Sequence, residues 1–72
     1  MKEHFIEGVG YVFYESRWYE ESPGERVKKK GWWLRRTPGG KPGASFEPEF
    51  LGYNKAEASL SRLDKRLIKF FS

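Results

Sequence analysis

The chain has no cysteine, so neither a disulfide nor a thiolate metal site can staple it. Histidine occurs once, as His4, and aspartate once, as Asp64. A Ser–His–Asp arrangement would have to draw on those two single residues, and no spacing in the chain supports one. One histidine among scattered glutamates does not make a cluster of metal ligands. No stretch approaches the ~20 apolar residues that span a bilayer. The start, Met1 to Glu7, is charged and lacks the apolar run of a signal peptide. These absences lead us to expect a cytoplasmic, non-enzymatic protein with no metal and no cofactor.

Aromatic side chains are plentiful. Three Trp, four Tyr and six Phe stand among 72 residues, and each ring can bury about 150–250 Å². A chain of this length forms one domain, residues 1–72, that buries only about 60% of its unfolded surface. The rings must therefore supply most of a small core. They also argue against disorder, despite the charged fraction of 33%.

Charge is divided unevenly. Residues 1–25 hold two basic and six acidic side chains, net −4, and residues 26–72 hold twelve and four, net +8. Between Arg26 and Lys41 lie seven basic residues and no acid. Such a field attracts a polyanion or an acidic protein surface.

Val9 to Glu20, rich in β-branched and aromatic types, reads as a strand, with Gly8 and Gly10 marking a bend at its start. Glu21-Ser22-Pro23-Gly24-Glu25 reads as a turn. Arg26 to Arg36 follows as an antiparallel strand. Its neighbours Trp32 and Trp33 must point to opposite faces, with Val27 and Trp33 expected inward. Thr37 to Gly43, with three Gly and two Pro, is a loop. Ala44 to Tyr53 is a weaker strand that Pro48 confines to an edge or breaks.

Asn54 to Phe70 reads as one helix. Asn54 suits the N-cap, with Glu57 three residues on as in a capping box. Ala56, Leu60, Leu63, Leu67 and Phe70 recur at helical spacing as an apolar stripe. Lys55, Arg62, Arg66 and Lys69 form a second, basic stripe. The expected class is α+β: a small antiparallel sheet of two to three strands packed against one C-terminal helix.

The strongest chemical signal is basic and aromatic together. Arg26, Lys28, Lys29, Lys30, Arg35, Arg36 and Lys41 can neutralise phosphates. Trp18, Trp32 and Trp33 can stack on unpaired bases or fill the core, and Trp32 beside the cations is the candidate anchor for a partner. Gly39-Gly40-Lys41 lacks the rest of a phosphate loop and reads as a flexible turn.

Gly31-Trp32-Trp33-Leu34-Arg35-Arg36-Thr37, then a Gly-rich turn, then Phe50-Leu51-Gly52-Tyr53-Asn54-Lys55-Ala56-Glu57-Ala58 entering a helix, resembles the three-stranded-sheet-plus-helix DNA-binding module. That module occurs in the plant ethylene-response-factor domain and in the arm-site-binding domain of phage integrases. The resemblance covers about half the chain. It implies a sheet laid in the major groove with the helix behind it, Arg26, Lys28, Arg35, Arg36 and Lys41 facing DNA, and Leu60, Leu63 and Leu67 in the core. The long loop after Arg36, Pro48 and the acids Glu15, Glu20 and Glu21 depart from its pattern.

The expected function is nucleic-acid binding, DNA ahead of RNA, by a small regulatory protein of bacterial or phage type, as a monomer or weak dimer. The alternative is a phage-type inhibitor or adaptor that docks its basic aromatic surface on a host protein. An SH3-like barrel with an aromatic peptide groove ranks below both.

Overall fold

A computed structural model describes residues 2–37 and 47–72. It is an α+β fold of strands β1 (Glu3–Ile6), β2 (Gly10–Ser22), β3 (Glu25–Arg35) and β4 (Glu49–Gly52), followed by helices α1 (Lys55–Leu60) and α2 (Lys65–Phe71). The strands form one antiparallel meander in the order β1-β2-β3-β4. The sheet thus has one strand more than expected. β1 is the addition, formed by the short charged segment at the start of the chain. The Thr37–Gly43 loop beyond Thr37, and the first residues of the Ala44–Tyr53 strand, lie outside the described residues. Within them, that strand begins directly after Pro48 and occupies an edge of the sheet, where a missing amide costs least.

The turn Ser22-Pro23-Gly24-Glu25 closes the β2–β3 hairpin. Gly24 has φ +80 there, a conformation that favours glycine. The ladder then runs in regular register from Glu20↔Arg26 to Tyr11↔Arg35. Because side chains alternate, even-numbered residues of both strands share one face and odd-numbered residues share the other.

The even face receives the helices. Val12, Leu34, Leu51, Ala58, Leu67 and Phe71 form its buried core, with Ile6, Val9, Trp32 and Phe70 packed against it. A register shift between Trp32 and Trp33 places Gly52 opposite Trp32 and Phe50 opposite Trp33. Leu51 is the extra residue of this bulge and turns to the helix side, while Phe50 packs on Trp33 at 4.9 Å on the other.

The expected single helix is two short ones, and this overturns the Leu stripe. Asn54 caps α1 as expected, its Oδ1 accepting from the Glu57 amide at 2.8 Å. Glu57 Oε1 reaches back one residue further than in a capping box and accepts from the Tyr53 amide at 2.8 Å. At Ser61 the helix stops. Asp64 then caps α2 by accepting from the Arg66 amide at 2.8 Å. The break rotates the two segments out of register. Leu60 and Leu63 are 81% and 92% exposed and Ala56 is also exposed, whereas Ala58, Leu67 and Phe71 are buried.

Candidate nucleic-acid interface

Two Trp residues close the two sides of the sheet, and neither is the exposed one. Trp32 is half-buried on the helix side, with its ring 5.3 Å from that of Phe71. Trp33 is buried on the opposite face and not under the helix. There its indole Nε1 donates to the Glu15 carbonyl at 3.0 Å, and Phe50 and Tyr19 flank it. The exposed indole is Trp18, at 52%.

The odd face carries a second layer made of cations on rings. The Arg35 guanidinium lies 4.5 Å from the Phe13 ring, Arg17 lies 5.5 Å from Trp33, and Lys29 Nζ lies 4.6 Å from Tyr19 and 4.8 Å from Phe50. Each also has a carboxylate. Arg35 pairs with Glu3, Arg17 with Glu15 at 3.1 Å and Lys29 with Glu21 at 3.3 Å. Desolvated cation–π contacts of this kind contribute about 1–2 kcal/mol each. The layer explains how Phe13 and Trp33 stay buried on a face without helices. It also accounts for three of the six acids in residues 1–25, since Glu3, Glu15 and Glu21 neutralise these three cations.

The even face differs beyond the helices. From Tyr14 and Trp32 outward, β2 and β3 continue as a two-stranded arm. Ser16, Trp18, Glu20, Arg26, Lys28 and Lys30 project from its even face and are all exposed. Among the described residues, Arg26, Lys28 and Lys30 have no ion pair and no side-chain hydrogen bond. Lys28 sits opposite Trp18 and Lys30 opposite Ser16. The Tyr14 ring rests edge-on against Trp32 at 5.3 Å and 62°.

The expected site residues therefore divide. Arg26, Lys28 and Lys30 come together on the arm, with Trp32 at its base. Arg35 belongs to the other face and holds β1 to the sheet through Glu3. Arg36 is exposed just past the end of β3, and Lys41 lies outside the described residues. The basic stripe of the helix is interrupted by the break. Arg62 pairs with Glu49 at 3.0 Å and Arg66 with Asp64 at 2.9 Å, leaving Lys55 on α1 and Lys69 on α2 unpaired among the described residues. A cavity of about 400 Å³ between the ends of β3 and β4 is lined by Leu34, Arg35, Arg36, Glu47 and Glu49, a mixed-charge wall that does not extend the basic surface. Trp18 was read from the sequence only as one of three tryptophans able to stack on bases or fill the core, and it is the one that stands on the arm. Its signal was its parity in β2, which places it across from Lys28.

Among the described residues, no His, Asp and Glu group is arranged to hold a metal, and no helix is long and apolar enough to cross a membrane. Compared with protein families, with curated proteins and with solved structures, the chain matches none.

Proposed function

We propose that this chain is a cytoplasmic nucleic-acid-binding module, DNA favoured over RNA, that uses the even face of the β2–β3 arm. One observation carries the reading. The odd-face cations are all committed to carboxylates and rings, while Arg26, Lys28 and Lys30 stand unpaired in a row beside an exposed indole. Unpaired cations gain counterion-release free energy from phosphates without first giving up a partner. The likeness to sheet-plus-helix DNA-binding modules supports the same class, with the opposite face of the sheet in use.

Three phosphate contacts predict a plot of log affinity against log salt with slope of about −2 to −3. Titration of a labelled 20-mer at several salt concentrations measures it. Replacing Arg26, Lys28 and Lys30 together by Gln flattens the slope and removes most of the binding. An oligomer that leaves wild-type mobility unchanged at low salt overturns the reading.

The exposed Trp18 favours one alternative, in which the same surface anchors on an acidic host protein. A bacterial partner retained after nuclease treatment, and lost in the same triple variant, is the outcome that favours it.

A further inference from the structure

Resting on the nucleic-acid reading, we infer that the arm takes single-stranded nucleic acid, with bases stacked on Trp18 and Tyr14. The rings are 52% and 45% exposed. They share one face of β2 and, four residues apart in a strand, have Cα atoms about 13 Å apart. Lys30 lies across from Ser16 between them, Lys28 across from Trp18, and Arg26 beyond, towards the turn. Lys30 thus falls between the two rings and Lys28 beside the outer one, with Arg26 and the acid Glu20 opposite each other at the far end. That pattern suits an extended strand whose phosphates meet the cations while its bases meet the rings.

The platform is held in place from beneath. Tyr14 is braced by Trp32, and Trp32 by Phe70 and Phe71 at 6.1 and 5.3 Å. Among the described residues Trp18 makes no contact with another ring or with a cation, and half of its surface is exposed.

Bidentate readers of adenine are absent from the arm. Base edges in a major groove are read by Arg and Lys at guanine and by Asn and Gln at adenine. The chain has no Gln, and its only Asn, Asn54, caps α1. Arg26, Lys28 and Lys30 can meet the phosphates of a duplex or of a single strand, so the exposed rings Trp18 and Tyr14 are what favour the single strand. A duplex keeps its base faces stacked inside, where exposed rings cannot reach them. Single strands offer those faces freely.

The test titrates the full chain with oligo-dT, with oligo-U and with a duplex of equal length, following Trp fluorescence and anisotropy. Expected is tighter binding to oligo-dT or oligo-U than to duplex by tenfold or more. Trp18→Ala weakens single-strand binding roughly 5- to 150-fold, and Trp18→Phe restores most of it. Near-UV circular dichroism from Trp32 and Trp33 checks that the variants fold. Tighter binding to the duplex, or a Trp18→Ala variant that binds single strands like wild type, overturns this inference and leaves the nucleic-acid reading standing. No response to any of the three probes overturns both.

Discussion

The Trp33 indole donates its N–H to the Glu15 carbonyl, 3.0 Å away on the neighbouring strand. The contact joins a side chain of β3 to the backbone of β2. It fixes the largest fully buried side chain of the protein on the face without helices. Trp33→Ala therefore costs about 3–5 kcal/mol. A domain of this size rarely has more than about 3–5 kcal/mol to lose, so the variant is expected to be largely unfolded in urea titration at 25 °C. Trp18→Ala, at a ring that is 52% exposed and makes no ring–ring or cation–π contact, is expected to cost only about 1 kcal/mol in the same titration. Equal losses at the two sites would show that Trp33 is not the anchor.

Gly31 sets how closely β4 approaches. A Cβ at this position would come 2.3 Å from the Gly52 carbonyl oxygen and 2.9 Å from the Phe50 ring. The nearest obstacle is backbone and cannot swing away. Gly31→Ala is expected to destabilise by about 1–3 kcal/mol, as overpacking does, and to shift the amide resonances of Phe50 to Tyr53 most. A variant as stable as wild type would mean that β4 pairs more loosely than the register indicates.

The elements legible in the sequence were those with local signals. The hairpin followed from β-formers on either side of Pro23-Gly24, the α1 cap from Asn54 and Glu57, and the edge position of β4 from Pro48. β1 was missed because four residues near a terminus carry little pattern, and its anchorage comes from afar, through Glu3 to Arg35. The helix was misjudged because the apolar spacing of Leu60, Leu63 and Leu67 was weighed above Ser61 and Asp64, two residue types that favour caps over helix interiors. The basic segment was legible as charge but not as two halves. Which cations are free depends on strand parity, together with acids 8 to 32 residues away in sequence, and composition records neither.

Lys28, Lys29 and Lys30 are consecutive, yet their chemistry should differ. Lys29 Nζ is seated against Tyr19 and Phe50 and paired with Glu21, whereas Lys28 and Lys30 are exposed and unpaired. Reductive methylation under native conditions, read by peptide mass spectrometry, is expected to modify Lys28 and Lys30 first. Lys29 should lag by several-fold and catch up in denaturant. Glu21→Gln narrows the gap. Three equal native rates would show that the cation layer of the odd face does not persist in solution.

Asp64 makes the start of α2 sensitive to acid. Hydrogen bonds from the Arg66 side chain at 2.9 and 3.0 Å, then from the Arg66 amide, lower its carboxyl pKa from 3.8 to about 2. The same pairing raises the pKa of the Arg66 guanidinium. A lowered carboxyl pKa means that the fold favours the charged form, so its stabilising effect is complete above pH 3.8, declines as the pH falls towards 2, and is gone below that. The Ile68 amide, which donates to the Asp64 carbonyl at 3.0 Å, reports on this turn. Its hydrogen exchange, corrected for the intrinsic rate, should lose protection between pH 3.8 and 2. Asp64→Asn keeps a capping oxygen without a titrating proton, so its protection should be lower than wild type at neutral pH and flat across that window. Asp64→Ala removes the cap and should expose the amide at every pH. A wild-type protection factor that does not change across the window would exclude the Asp64 carboxylate as the group that holds α2 in place.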